Sequence, residues 1–491
     1  MKYKLLGLAA LALVLAAALV LTPVGSDVPS GRYHQHLSAR ADTGCGCGNT
    51  QLCSHLPLVL IDTRGQEVPG ELTGRLDRFH QAVYTKAEDG QPTIRAQITV
   101  IDNPDRNNHP GDQPAFTTES DFRIRGHSSR YYPKRPYLMK FVDEDGQDRD
   151  IPVMGMGAHH EWALHSPMID KTLVRNYLMY NLSGEIMDWA PNCRFCEVVV
   201  NGSYEGVYLM VETITDGDDC RLNLKMRVKN SQAAGYLLRL DRPTEEDLES
   251  VRDVYTYAER INRVFQDFAI RYPGRNSLTQ ELKRSIELDY ATFEKSLYSY
   301  DYKSSRYGYE NWIDTDNFVD YYILQELSQN YDMGAYSTYL YKELGQPYRL
   351  AVWDFDNAWG NARATAILPD KYILNERAWY WMLFKDEAFV RRVIDRYREL
   401  RQTWLSQEYL LSYIDQTVEW LGPAAERNNL RWADRIADWD ALGPEYDNPH
   451  SFREALDMMK TRIIQRGAWL DEEIHSLQQL CHPSRNKKYN H

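Results

Sequence analysis

The order in which residue patterns follow one another constrains this chain more than any single motif. Strand-like runs come first, over residues 56–62, 93–101, 122–125 and 137–141, each rich in β-branched or aromatic residues. The sharpest local signal is Asn201-Gly202, set between the apolar runs 197–200 and 204–211. Asn-Gly in that setting turns the chain back as a two-residue hairpin, because both residues tolerate the positive φ that the turn needs. Glu212 closes the second strand, where it either borders a ligand cleft or faces water. From residue 386 to 477 the spacing is helical almost throughout. Strands gathered ahead of helices predict an α+β fold, bilobal, with a sheet-rich N-terminal lobe and a helical C-terminal lobe.

The expected organisation has five parts. Residues 1–25 form a leader, 26–55 a polar linker, 56–215 the sheet-rich lobe, 216–310 a polar, tyrosine-rich insertion or connecting segment, and 311–480 the helical lobe. Within the insertion, 235–240 reads as a strand and 254–270 and 276–298 as amphipathic helices. A further helix is expected over 170–182, with Asp170 as its N-cap. In the leader, Lys2 and Lys4 precede an apolar run over 5–21, the pattern of a secretory signal or an uncleaved membrane anchor. No cysteine follows it directly, which speaks against a lipoprotein anchor. Either way the body of the chain is expected outside the cytoplasm, as an exported, extracellular, cell-surface or membrane-anchored protein.

Charge and cysteine usage narrow the functional classes. The chain carries 57 Lys and Arg against 70 Asp and Glu, a net charge of −13. That balance argues against a nucleic-acid partner, whose phosphates call for basic patches, and suits a basic acceptor protein. Seven cysteines are present: Cys45, Cys47, Cys53, Cys193, Cys196, Cys220 and Cys481. For an exported chain the favoured reading is disulfides or unpaired thiols, with a metal or redox site at Cys45-x-Cys47 plus Cys53, or at Cys193-x-x-Cys196, as the alternative.

Two acidic features carry the chemistry. In Trp353-Asp354-Phe355-Asp356 the carboxylates are two apart after an apolar run. On a strand they point the same way and can face one cation, although a turn or solvated loop has the same pattern. A Mg²⁺ ion needs only one or two carboxylates beside substrate phosphates. Upstream, Asp332 falls on a loop between a helical pattern (318–327) and the alternating Tyr339 and Tyr341. One acid to orient an acceptor hydroxyl and another to hold the metal is the layout of phosphoryl transfer. In the N-terminal part, Gly126-His127-Ser128-Ser129-Arg130 joins glycine, hydroxyls and cations. Such a loop offers N–H groups and charge to phosphates, or is simply an exposed basic hairpin loop. Lys140 sits mid-strand among Leu138, Met139 and Phe141, either solvated or reaching an enclosed phosphate.

Taken together, residues 125–130 through Lys140, Asp170-Lys171 with Arg175-Asn176, the hairpin from Asn201 to Glu212, Asp332, and Trp353 to Asp356 give a chain that resembles the CotH-type spore-coat protein kinases over about residues 56–475. The resemblance implies an atypical protein-kinase-like fold, ATP and Mg²⁺ as cofactors, and phosphate transfer to hydroxyl side chains of a surface or spore-coat protein. It implies that Gly126, Ser128, Ser129 and Arg130 lie near the ATP phosphates and that Lys140 is the strand lysine pairing with them. Glu212 would sit near the interlobe hinge. Asp332 would be the catalytic carboxylate, Asp354 the principal Mg²⁺ ligand and Asp356 a second or supporting one, with Glu185 the candidate acid partner of Lys140. Two positions depart from the family pattern. His127 stands where members often have Asn, and Ser337 stands where many have an Asn for a second metal. A serine hydroxyl also ligates Mg²⁺, so Ser337 is the candidate there. A non-catalytic pseudokinase with a structural or adhesive surface role is the alternative reading. A metal-dependent glycosyltransferase built on Asp354-x-Asp356 is a third, and calls for alternating strand–helix units.

Overall fold

The computed structural model describes residues 32–38, 45–47, 52–76, 82–217, 221–224, 235–241, 267–361, 368–438 and 448–481. The expected leader at 1–25 and Cys220 lie outside them.

The first half of the chain closes on itself. Strands β1 (Leu58–Asp62), β4 (Ile94–Ile101), β5 (Phe116–Ile124), β6 (Tyr137–Val142), β9 (Glu161–His165), β10 (Cys193–Val200) and β11 (Ser203–Glu212) form a barrel in the order β1-β10-β11-β9-β6-β5-β4. Every neighbouring pair is antiparallel except β1 with β10, which run parallel and complete the ring. The alternation in β4 shows why it closes: Ile94, Ala96, Ile98 and Val100 are buried, while Arg95, Gln97 and Thr99 point away from the interior. Phe122, Met139, Trp162, Tyr208 and Met210 fill the same interior. Asn201 and Gly202 both take positive φ (50° and 79°) and join β10 to β11, as their sequence predicts. Two small hairpins lie outside the ring, β2 (Leu72–Leu76) with β3 (Ala82–Tyr84) and β7 (Ile151–Val153) with β8 (Met156–His159).

The second half builds helices around another sheet. Strands β12 (Tyr236–Asp241), β13 (Asp267–Tyr272), β14 (Thr338–Lys342) and β15 (Tyr348–Ala351) pair antiparallel in the order β13-β12-β14-β15. The helices are α1 (Arg175–Ile186), α2 (Gln280–Tyr298), α3 (Thr315–Ser328), α4 (Tyr380–Leu383), α5 (Glu387–Leu400), α6 (Gln407–Arg431), α7 (Ala433–Asp438) and α8 (Phe452–Glu473). A second, larger core joins this half to the outer face of the barrel, where Ala163, Val207, Leu209 and Val211 pack with apolar residues of α1 and of the C-terminal helices. The architecture is α+β, with most of the barrel strands ahead of the helices as the pattern order predicts, while β14 and β15 follow α3. Among the described residues the sheets are antiparallel apart from the β1–β10 pair, so the alternating units a glycosyltransferase reading calls for are not there.

Several expectations need correction. Residues 32–38 do not hang as a linker: Gln35 exchanges hydrogen bonds with the Phe195 backbone (2.7 and 3.1 Å), and His34 and His36 are buried. Residues 267–272, expected at the end of a helix, are strand β13, and 254–266 lie outside the described residues. Residues 216–310 are more than a connecting insertion, since they supply two strands of the second sheet. Helix α1 starts at Arg175, with Val174 as its N-cap. Asp170 serves it from further out, accepting the Arg175 N–H at 2.9 Å and the guanidinium at 2.5 Å.

Candidate active site

The acidic cluster is built by loops that follow α3 and β15. Helix α3 ends on Gln329 in a left-handed conformation (φ 48°), which throws the chain outward and delivers Asp332 to the loop before β14. Strand β15 ends at Ala351, before the two downstream aspartates. Strand alternation therefore does not align them, contrary to the sequence expectation. Asp354 itself is left-handed (φ 60°), and this turn brings its carboxylate and that of Asp356 together. A non-glycine residue in that region is strained, and Asp and Asn bear it best.

A shell of neutral amides and ring hydroxyls fixes the turn. Tyr180 OH accepts the Asp354 N–H (3.1 Å), and Asn330 Nδ2 donates to the Asp354 carbonyl (2.8 Å). Asn176, on α1, grips the loop twice: its Oδ1 accepts the Phe355 N–H (2.7 Å) and its Nδ2 donates to Asp356 Oδ1 (2.6 Å). Asn361 Nδ2 donates to the Asp356 carbonyl (2.7 Å), and Arg175 Nε to the Ala358 carbonyl (2.9 Å). Asn357 Nδ2 donates to Asp332 Oδ2 (2.9 Å), which ties the third carboxylate to the same turn. Phe355 and Trp359 are buried beneath, anchoring the loop in the larger core.

Burial and mutual repulsion dominate the electrostatics of the pair. Burial raises the Asp354 carboxyl above its ordinary range, and Arg125 only partly offsets this. Asp356 is raised further, first by burial, then by the Asp354 and Asp170 charges. The nearby cations are Arg125 and Arg175. Arg125 stacks over the Trp353 ring (5.3 Å), with Nη1 3.3 Å from His165 Nε2. His165 is fully enclosed, and burial together with Arg125 holds its pKa well below the usual imidazole value, so it stays neutral. Two carboxylates flanked by carboxamides fit a hard, oxygen-seeking divalent ion, which would relieve their repulsion.

The remaining expected site residues are placed differently. Gly126 follows Arg125 at φ 95°, and a Cβ there would meet Ser129 Oγ at 2.0 Å, so the Gly126–Ser129 turn is tight and begins beside the cluster. His127 and Ser128 lead into a short 3₁₀ turn. Arg130 turns back from it: its guanidinium donates to the carbonyls of Gly126 and Gly70 (2.5 and 2.8 Å) and lies over Tyr84. Lys140 points off the outer face of β6 and pairs with Asp148 at 2.8 Å, its side chain 41% exposed. Among the described contacts it reaches none of the three aspartates. Glu185 is held by His34 (2.9 Å) and the Arg32 N–H (3.2 Å), not by Lys140. Glu212 is fully buried against Arg221 (3.1 Å) and accepts from the Asn192 backbone and side chain. It is a structural ion pair at the end of β11. Ser337 takes φ 46° just before β14, and its hydroxyl meets none of the aspartates among the described contacts. Arg125, Asn176 and Asn357 are the residues that pattern reading did not assign to the site. A cavity of about 880 Å³ lined by Tyr236, Asp289, Trp312 and Lys342 lies elsewhere and includes none of the acidic cluster.

With this geometry in view, the chain belongs to the CotH kinase protein family, whose model matches residues 122–470 and so takes in the whole cluster. Among curated proteins it is similar to the inner spore coat protein H of Bacillus subtilis (strain 168), 24% identical over 249 residues. The match covers 49% of this chain and 59% of that protein, so the chain spans less than two thirds of the relative's length.

Proposed function

We propose that the chain is a protein kinase of the atypical, bilobal kinase-like kind, transferring phosphate from ATP to hydroxyl side chains of a coat or surface protein. The observation that carries this reading is that Asp354 and Asp356 share one amide-fixed turn beside Arg125, to which Asn357 ties Asp332. Asp354 and Asp356 are the residues that would hold Mg²⁺, with Asp354 the principal ligand. Bound there, the ion would neutralise charge on the nucleotide phosphates. Asp332, held by Asn357, orients the acceptor hydroxyl and takes its proton. Arg125 and the Gly126–Ser129 turn supply positive charge and N–H donors on the phosphate side, the part first given to Lys140. Similarity to an inner spore coat protein supports a coat-associated setting, in which a coat protein is the acceptor to test first.

A second reading, a non-catalytic surface protein on the same fold, is favoured by Lys140 pairing with Asp148 and by serine at 337. Calorimetry of the full chain with ATP, with and without Mg²⁺, separates the two. The kinase reading expects Mg²⁺-dependent ATP binding that is abolished in Asp354→Ala, weakened at least tenfold in Arg125→Ala and retained in Asp332→Ala, with phosphate transfer lost in all three. No nucleotide binding under any divalent ion would leave the surface-protein reading standing.

A further inference from the structure

Three thiols and an imidazole meet where the chain approaches the barrel. Cys45, Cys47, Cys53 and His109 each offer one ligand atom, and all four atoms lie within 4.8 Å of one another. Cys45 Sγ is 3.2 Å from His109 Nε2. None of these cysteines is in a disulfide. All four residues precede the stretch matched by the family model, and none of them belongs to the acidic cluster.

The frame around the cluster is built independently of any ion. Ser54 and Asn108 exchange backbone hydrogen bonds (3.0 and 2.6 Å), an antiparallel bridge that sets Cys53 opposite His109. Asn108 locks that bridge, donating to the Leu56 carbonyl (3.0 Å) and accepting from the Asn103 backbone and side chain (2.8 and 2.9 Å). Asp112 Oδ2 accepts the His109 backbone N–H (3.0 Å) and lies 3.3 Å from Nδ1. A carboxylate on one ring nitrogen leaves the other aimed at the thiols, the arrangement that orients metal-bound histidines. Asn107 Nδ2 donates to Cys53 Sγ (3.2 Å), the kind of outer contact that steadies a thiolate.

We propose that Cys45, Cys47, Cys53 and His109 form a structural zinc site. Three sulfurs and one imidazole nitrogen are the donor set of closed, four-coordinate Zn²⁺ centres, and soft thiolates select zinc over Mg²⁺ or Ca²⁺. On binding, each thiol gives its proton to solvent and the imidazole binds as the neutral ring, so no oxidant or reductant is involved. Four protein ligands leave no open position for substrate. The site ties Cys45, Cys47 and Cys53 to the loop between β4 and β5, at the seam where β1 pairs with β4.

The test uses the full chain, purified without oxidant, stripped of metal and then given Zn²⁺ alone. About one zinc per chain should survive gel filtration. Co²⁺ in its place should show sulfur-to-cobalt charge transfer and the intense visible bands of a tetrahedral site. Cys53→Ser and His109→Ala should lose the metal, His109→Cys should keep it, and Asp354→Ala should leave the count unchanged. A disulfide among Cys45, Cys47 and Cys53 in the peptide map of the fresh protein would overturn the assignment. So would a zinc content indifferent to Cys53→Ser and His109→Ala. Should those variants fail to fold, the wild-type cobalt spectrum and the peptide map decide alone.

Discussion

At the scale of single residues, Asp354 combines two demands, a left-handed backbone and a carboxylate in a half-buried place. Asn meets the first demand and not the second. Asp354→Asn should therefore keep the thermal midpoint within a few degrees and lose divalent-ion binding, a pair of readings that differential scanning fluorimetry and calorimetry separate. The raised carboxyls also give cation binding a definite pH dependence. Both hold protons above their ordinary range, so a bound cation must displace them at low pH. Mg²⁺ affinity should rise with pH and level off once both are ionised. Proton release, read by calorimetry in buffers of different ionisation enthalpy, should shrink over the same interval. Asp332, Asp354 and Asp356 stood out in the sequence through their order relative to the helical and strand patterns around them, since Asp-x-Asp alone also fits a turn or solvated loop. What draws them together was not legible, since an αL turn leaves no periodic trace. Lys140 illustrates the opposite limit: a mid-strand cation reads the same whether it faces a phosphate or an aspartate such as Asp148, which lies outside its strand.

At the scale of elements, the most committed polar contact is the pairing of α3 with α8. Glu326 and Arg466 are both fully buried, 2.7 Å apart. Arg466 Nε also donates to the Glu326 carbonyl (2.9 Å), and Glu326 Oε1 accepts the Ile373 N–H (2.8 Å). Burial raises the Glu326 carboxyl, and Arg466 opposes that rise. Removing only one partner strands a charge in the core. Arg466→Met should cost about 3–5 kcal/mol by urea denaturation, and Arg466→Met with Glu326→Leu less than the sum of the single changes. Most of the barrel strands, the Asn201-Gly202 turn and the later helices could be read from alternation and period, because those signals are local, whereas β9 gave no such signal and only the end of β5 was marked. The second sheet could not be read in this way. β12 pairs with β14, about a hundred residues onward, and no window of sequence contains both. Helix α1 was expected from its spacing, but its start at Arg175 was not, because Asp170 looks like its cap and does accept N–H bonds there.

At the scale of the whole molecule, residues 32–38 stitch three parts together. Gln35 bonds β10, His36 bonds Tyr177 of α1 (2.9 Å), and His34 bonds Tyr413 of α6 (2.8 Å). Their composition is polar, which is why they read as a linker, yet Gln35, both His34 ring nitrogens and His36 Nδ1 find partners inside, and only His36 Nε2 among these buried atoms does not. Burial pushes the His36 imidazole down to about 3 and lowers His34 despite Glu185. The unfolded chain takes up these protons near 6.5 and the folded chain does not. Stability from this docking is therefore full above that pH and is lost progressively as pH falls below it. The thermal midpoint should drop between pH 7 and pH 5, and part of that drop should vanish in His36→Gln. His34, His159 (pushed down to about 4) and the enclosed His165 act in the same direction. No helix among the described residues is long and apolar enough to cross a membrane.

The parallel seam of the barrel sets a schedule for synthesis. Residues 58–165 can assemble an antiparallel array as they leave the ribosome, but β1 and β9 remain open edges until residues 193–212 emerge and bridge them. Because the β1–β10 contacts that complete the ring span well over a hundred residues, closure is slow relative to local pairing. A chain stalled or cut near residue 190 thus presents two unpaired rims at once, and is the form that a holding chaperone would be expected to meet.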